Sequence, residues 1–258
     1  MERLASRKKR EIDGDVLRAW GMVFLAAGVA GRAVIQNGML GIANIDTQQI
    51  LQVIDSSSQA MKLATISLVL QGIETCAVPI FALLLAEGMQ HTKDFKAYFL
   101  RILKLALLTE IPYNIAMGGS LLHVETRNPV FGLLLSMIMI SLFKRYPAGK
   151  KINGLIKVLI VAAAIVWCAM LGIEFGPATV LITAILWWMR GNTLYRNFAG
   201  ATGAIVCTMF SPFFLASPMS FLAIHMCNWE ECEENRAVNY FSYPAVLLLA
   251  FAVGKFLF

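Results

Sequence analysis

The chain contains few charged residues and very few histidines for its length. Of its 258 residues, 15% are charged and three are histidine. Soluble domains carry about 25% charged residues, so this composition excludes an ordinary soluble domain. What the chain has instead is apolar residues, which make up 58% of it. These proportions predict an integral membrane protein whose apolar side chains face lipid.

The five cysteines do not form a standard metal-binding pattern. Cys227 and Cys232 lie near His225, but their spacing matches none of the usual zinc motifs. We therefore predict no metal site. A disulfide between these two cysteines is the alternative if their loop lies outside the cell.

Eight apolar runs account for most of the chain, and each is a candidate membrane-spanning helix. They are Leu17 to Ile35, Leu63 to Leu85, Phe99 to Met117, Val130 to Phe143, Leu155 to Gly172, Phe175 to Trp188, Phe198 to Cys227 and Phe241 to Phe258. A span needs about 20 mostly apolar residues. The sequence therefore predicts an all-α, polytopic transmembrane helix bundle of about eight spans, in the range of about seven to nine. Residues 17–258 would form this single domain, after a basic tail at 1–16.

Basic residues are concentrated in alternate loops between these runs. The tail contains a cluster at 3–10, and the second-to-third and fourth-to-fifth connections are also basic, whereas the loops between them are neutral or acidic. Positively charged loops face the cytoplasm, so we predict a cytoplasmic amino terminus in the inner (cytoplasmic) membrane. This pattern also explains the net charge of +6, and nucleic acid is not predicted as a partner.

The run from Phe198 to Cys227 leaves two topologies open, because Pro212 and Pro218 interrupt it. A single crossing would place the acidic loop 230–234 outside, and two crossings would place it in the cytoplasm. We favour the single crossing, although acidic residues are weak topology signals.

Ionisable residues at membrane depth are functional candidates because burying them there is costly. Glu74 is the deepest, and Glu110 lies in the middle of the third run. We predict both as cavity carboxylates, either of which could pair with Arg32; a purely structural ion pair is the alternative. Pro112 predicts a helix break over 109–114, which would be either a cavity wall or a simple kink.

The segment CAVPIFALLLAEGMQHTK, residues 76–93, resembles the signature of the TraX family. That signature reads proline, an apolar residue, Phe, a run of leucines, Glu-Gly, and then His-Thr followed by a basic residue. The likeness continues at YFLRIL (98–103), EIPY (110–113), NPVFGLLL (128–135), EFG (174–176) and YFSYP (240–244). The blocks keep their order across almost the whole chain.

The resemblance implies a relative of the transmembrane acyltransferases, whose namesake is associated with conjugation and with acetylation of the pilin amino terminus. Such a protein would pass an acyl group from cytoplasmic acyl-CoA (acetyl-CoA) to a hydroxyl or amine, for example on a membrane protein or pilin-like acceptor. We expect His91, Lys93, Arg101 and Lys104 to bind the CoA phosphates. Glu74 and Glu110 are then the predicted catalytic residues.

Two positions depart from the family pattern. The first span of the family usually has an Asp-His pair before a glycine, and its last span has Tyr-Pro, one residue, and His. Val29 and Val246 occupy the histidine positions here. Because imidazole is the usual general base, three hypotheses stay open: a divergent acyltransferase, a non-catalytic assembly or regulatory relative, and a small-solute transporter.

Overall fold

The structure, a computed structural model, describes residues 14–42, 46–55, 57–119, 121, 126–147, 151–226 and 236–256. Across these ranges the chain is helical and has no strand, apart from an isolated parallel bridge between Arg127 and Ile173. The all-α prediction is therefore confirmed. The basic cluster at 3–10, Cys227, Cys232 and the acidic loop 230–234 lie outside the described residues.

Several helices begin at residues whose side chains cap them. Ser57 accepts a hydrogen bond from Ala60 N at 3.0 Å, and Asp94 accepts one from Ala97 N at 3.0 Å. Such caps satisfy backbone donors that the first helical turn leaves free. The helices are α1 (Gly14–Val29), which a π-helical segment (Ala30–Met39) continues, α2 (Thr47–Asp55), α3 (Ser58–Glu74), α4 (Ala77–His91), α5 (Phe95–Gly118), α6 (Val130–Arg145), α7 (Lys151–Met170), α8 (Gly176–Trp188), α9 (Thr193–Val206), 3₁₀ segments at Cys207–Met209 and Pro212–Met219, α10 (Ser220–His225) and α11 (Arg236–Phe256).

Three helices of the described chain are long and apolar enough to cross a membrane: Gly14–Met39, Ser58–His91 and Lys151–Met170. The other apolar helices are shorter, so length and composition alone do not confirm about eight spans. Large apolar side chains cover the outer surface of α7, including Val158, Trp167 and Met170, which is 75% exposed. An exposed apolar face of this kind indicates contact with lipid.

Helices α3 and α4 form one kinked helix of 34 residues, about 51 Å long at the α-helical rise of 1.5 Å per residue. This helix runs antiparallel to α1. Ser67 Oγ donates to Gly31 O at 2.8 Å, and a Cβ added to Gly21 would lie 3.1 Å from Ile80. The contacts place Glu74, at the kink, beside the π-helical segment.

The run from 198 to 227 doubles back on itself. After α9 the chain turns near Ser211, and the second 3₁₀ segment and α10 return along α9. A Cβ added to Gly200 would lie 2.5 Å from Phe221 Cε1, so the two ends of the run are side by side. The favoured single crossing is therefore wrong, because two short antiparallel segments replace one long helix.

Helix α5 continues through Pro112 without interruption, so the predicted break is wrong and the proline lies inside a continuous helix. Side chains bind carbonyls in the preceding turns: Thr109 Oγ1 donates to Leu105 O at 2.7 Å, and Asn128 Nδ2 donates to Ala106 O at 3.0 Å. Neither contact reaches Leu108 O, the carbonyl that Pro112 leaves without its helical donor; they fix the turn before it and hold α5 against the segment before α6.

Charge separates the two ends of the bundle. The end of α4 meets the starts of α5 and α9 and the end of α6, where Lys144 Nζ donates to Met89 O at 2.9 Å. We call this the basic end, because most basic residues of the described chain lie at or near it. They are Arg18, Lys93, Lys96, Arg101, Lys104, Lys144, Arg145, Lys151, Lys157, Arg190 and Arg196.

Candidate functional site: a cavity between charged ends

A cavity of about 630 Å³ enters the bundle from the basic end. It follows α4 from Ala77 to His91, a distance of about 21 Å at 1.5 Å per residue. Its other walls come from α1, α5, α6, α8 and α11. Between the two ends the lining is apolar and consists of Met22, Leu25, Val78, Phe81, Leu84, Leu85, Ile102, Leu105, Val130 and Leu133.

The opening of this cavity, which we call the mouth, is lined by charged residues: Asp15, Arg18, Glu87, His91 and Arg101. Asp15 accepts a hydrogen bond from Arg18 at 2.9 Å. Glu87 accepts one from Arg196 and lies 3.7 Å from His91 Nε2. Arg101 packs over the ring of Tyr98, 5.5 Å from its centre. Both carboxylates of the mouth therefore already have cationic partners.

The closed end of the cavity, which we call the floor, is lined by Pro129, Phe175, Thr179, Ser242 and Tyr243. Phe175 has a backbone φ of 55°, in the left-handed region that a bulky residue rarely adopts and that costs energy to hold. Its ring packs edge-on against Phe214 at 5.7 Å and lies 5.9 Å from the Arg32 guanidinium. Phe175 thus separates the cavity from the charges behind it.

Behind the floor, four polar side chains form a buried cluster, which we call the floor cluster: Arg32, Glu74, Tyr113 and Glu174. Arg32 Nη2 donates to both carboxylate oxygens of Glu74 at 2.6 and 2.7 Å, and Arg32 Nη1 donates to Glu174. Tyr113 Oη donates to Glu174 Oε2 at 2.7 Å. Glu74 is 1% exposed, so these carboxylates depend on Arg32 in place of water.

Two backbone hydrogen bonds hold Glu174 in this cluster. Arg127 N donates to Gly172 O at 2.8 Å, and Glu174 N donates to Arg127 O at 3.0 Å. They form the isolated bridge beside Ile173, which ties the turn between α7 and α8 to the segment before α6. The turn is thereby held so that the Glu174 carboxylate points toward Arg32 and Tyr113.

Glu110 lies in a separate polar group. Asn128 Nδ2 donates to Glu110 Oε2 at 2.6 Å, and Arg127 Nη1 lies 3.6 Å from Glu110 Oε1. Arg127 is 46% exposed at its side chain, in contrast with the enclosed Arg32. Glu110 therefore links α5 to the segment before α6.

The structure divides the predicted site residues. His91 and Arg101 line the mouth, whereas Lys93 and Lys104 lie on the surface of the same end and do not line the cavity. Glu74 and Glu110 do not line it either. Of the two carboxylates that could pair with Arg32, Glu74 does so, while Glu110 pairs with Arg127.

Sequence reasoning placed Glu174 in a short loop on the outside and did not single it out. Its partner Arg32 is 142 positions away, and no local pattern reports so distant a contact. Glu174 belongs to the EFG block and Tyr113 to the EIPY block. Their place in two family blocks was the only sequence feature that could have marked these residues as functional.

A family comparison supports the assignment suggested by those blocks. The model described as TraX protein matches residues 47–253. The chain belongs to the TraX family. Neither the comparison with curated proteins nor that with solved structures gives a match. Together with the three long apolar helices, TraX membership indicates a membrane protein.

In this TraX-family chain, the two positions that depart from the family pattern meet in the fold. Val29 is fully buried, and Val246 packs against the same apolar cluster, which also contains Tyr113 and Tyr243. Two histidines at these positions would lie near the floor. Here the nearby groups able to exchange a proton are the two tyrosine hydroxyls and the floor cluster.

Proposed function

We propose that the chain is a multi-pass protein of the inner membrane, with about eight crossings and the basic end in the cytoplasm. The segregation of basic side chains supports this orientation, since Lys and Arg accumulate on the cytoplasmic side. The doubling back of 193–225 bears on the number of crossings, because residue 226 returns to the basic end and α11 then runs parallel to α1, which requires an odd number, seven or nine. Gly254 contacts Ala33 and Gly38 at the opposite end.

We further propose that the protein transfers an acyl group from acyl-CoA to a hydroxyl or amine. One observation favours this function above the others: His91 and Arg101 lie at the mouth of a deep cavity, beside Lys93 and Lys104. Of these cations, Lys93 and Lys104, which lie outside the cavity, would bind the CoA phosphates at the surface. The thioester would then lie at the mouth, where it meets an acceptor held in the cavity.

In this proposal His91 is the general base and Glu87, 3.7 Å from it, orients the imidazole. The acceptor oxygen or nitrogen attacks the thioester carbonyl and gives its proton to His91. The carbon–sulfur bond breaks, and the proton passes to the departing CoA thiolate. Glu74 and Glu110 act on this step from a distance, by fixing the floor through Arg32 and Asn128.

A non-catalytic assembly or regulatory role is the second candidate. Val29 and Val246 favour it, since an apolar pair at the positions of two imidazoles removes the usual base from the floor. A protein of this kind would keep the cavity and bind a membrane or pilin-like partner without turnover.

Labelled acetyl-CoA tests the proposal on protein purified in detergent. We expect saturable binding, and transfer or slow hydrolysis that His91→Gln abolishes without changing donor affinity. Lys104→Gln should weaken donor binding about fivefold, about 1 kcal/mol, whereas Lys151→Gln, at the same end but away from the cavity, should not. Absence of binding at millimolar donor would contradict acyl transfer, and binding without turnover would select the second candidate.

Glu74→Gln and Glu110→Gln test the predicted catalytic residues separately. Neither carboxylate lines the cavity, so we expect donor affinity to be unchanged. Turnover should fall, because each substitution loosens the contact with Arg32 or Asn128 that fixes the floor. Turnover equal to the parent in both variants would remove them from the mechanism.

A further inference from the structure

The interior of the cavity differs chemically from its ends. Charged groups occur at the mouth and hydroxyls at the floor, where Thr179, Ser242 and Tyr243 lie. Over the intervening depth the lining side chains are apolar, with Phe81 and Leu105 on facing helices α4 and α5. A ligand that fills this depth therefore meets mainly apolar side chains.

This lining discriminates between classes of ligand. The pantetheine arm of CoA and a peptide both contain amides, and an amide buried without a hydrogen-bonding partner is costly. An alkyl chain has no such requirement and gains from leaving water. At a depth of about 21 Å and a volume of about 630 Å³, the cavity is long and narrow enough to suit a single chain.

The charge at the mouth indicates what should be attached to such a chain. Glu87 is neutralised by Arg196, a residue outside the cavity lining, and Asp15 by Arg18. Arg101 contacts an aromatic ring and has no carboxylate partner within the described chain. Among the described residues, the excess charge at the mouth is therefore positive, and it complements an anionic head.

We propose that the cavity binds the alkyl chain of a single-chain anionic amphiphile, with its phosphate or carboxylate head at Arg101. To be the acyl acceptor, this molecule must also carry a hydroxyl or amine beside its anionic group; that assignment rests on the proposed function, whereas binding of the chain and the anionic head does not. Arg101 then serves the amphiphile, while Lys104, one turn further along α5 and outside the cavity, serves the CoA donor.

Binding to protein in nanodiscs tests this, with labelled decyl phosphate as the probe and empty nanodiscs as the background. We expect saturable binding that unlabelled decyl phosphate displaces. Decanol should compete about tenfold less well, since it lacks the charge, and inorganic phosphate and CoA should not compete. Octyl phosphate should bind more weakly, by up to about fourfold for each methylene removed.

Two matched pairs of variants locate the site. Leu105→Trp narrows the cavity and should weaken binding about tenfold or more, whereas Leu107→Trp, on the same helix at a side chain 59% exposed, should not. Leu133→Trp, on another wall, repeats the test if the first variant is unstable. Arg101→Gln should reduce the preference for decyl phosphate over decanol about tenfold, and Lys104→Gln should leave it unchanged.

The outcomes separate this inference from acyl transfer. Competition by CoA as strong as that by decyl phosphate would overturn the inference, because the pantetheine arm would then fill the cavity. The same result would still agree with CoA as the acyl donor. Equal effects of Leu105→Trp and Leu107→Trp would also overturn it. Chain-dependent binding in a protein that shows no transfer would support the inference and contradict the proposed function.

Discussion

The floor cluster and the mouth both join arginines to carboxylates, yet their surroundings differ. In the floor cluster, the side chains of Arg32, Glu74 and Glu174 are 17%, 1% and 12% exposed. At the mouth, Asp15 is 41% and His91 74% exposed, while the pair of Glu87 with Arg196 there is enclosed, at 16% and 7%. Buried charges must neutralise one another, whereas exposed charges are stabilised by water. The same residue types therefore hold helices together at the floor and are accessible to a ligand at the mouth.

The largest expected effect comes from removing the shared cation of the floor. Arg32→Gln leaves two buried carboxylates without their partner, and we expect the free energy of unfolding to fall by about 3–5 kcal/mol. Thermal unfolding in detergent would measure this. Arg127→Gln, on the half-exposed arginine beside Glu110, is the control and should cost less than about 1 kcal/mol. Similar losses in the two variants would remove the distinction between buried and exposed arginines.

Tyr113→Phe should produce the next largest loss. It removes the hydroxyl that donates to Glu174 at 2.7 Å, and a hydrogen bond to a charged group contributes about 1.5–3 kcal/mol. Tyr195→Phe, at the basic end on a side chain 66% exposed, should change stability by less than about 0.5 kcal/mol. The same unfolding measurement compares them, and a neutral Tyr113→Phe would show that Glu174 does not need this donor.

Adding one methyl group at a glycine should destabilise the protein at the floor and leave its stability unchanged at the mouth. The Cβ of Gly28→Ala would overlap the Glu74 carboxylate, which must move away from Arg32, and we expect a loss of about 1–3 kcal/mol. At Gly14, at the mouth, no atom of the described residues lies within 4 Å of an added Cβ. Gly14→Ala should therefore be within about 0.5 kcal/mol of the parent. Equal tolerance of both alanines would mean that the packing around Glu74 adjusts freely.

The smallest effect is expected at the mouth. Asp15→Asn removes the pair with Arg18 at 2.9 Å, and because both side chains contact water the loss should be less than about 1 kcal/mol. It should shrink further in concentrated salt, which screens exposed charges. Unfolding at low and high salt measures this, and a loss above about 2 kcal/mol would show that the mouth is as dependent on pairing as the floor.

Local sequence patterns predicted the all-helical class of this protein, most of its helices and the residues of one buried ion pair, although not which carboxylate joins it. Apolar runs marked the helices because each must cover its length with apolar side chains. The high cost of a charge at membrane depth singled out Glu74, Glu110 and Arg32 as candidates, with either carboxylate open as the partner of Arg32, and the structure pairs Arg32 with Glu74. His91 and Arg101 were correctly grouped at one end by loop charge.

The remainder depended on contacts between distant segments. Pro212 and Pro218 showed that the seventh run is interrupted, but whether it reverses depends on Phe221 packing against Gly200. Pro112 likewise predicts a break in α5, yet the helix continues through it, because a proline inside a helix removes one hydrogen bond and does not by itself end the helix. Glu174 was missed because its position is set by residues far away in the chain.

The backbone bridge that positions Glu174 would not be detected by alanine scanning of this protein. It consists of main-chain groups of Arg127, Gly172 and Glu174, so substituting alanine for Arg127 keeps both hydrogen bonds intact. Only proline at 127, which has no amide hydrogen, removes one of them. An alanine scan would therefore record this position as dispensable, although the backbone there sets the direction of a buried carboxylate.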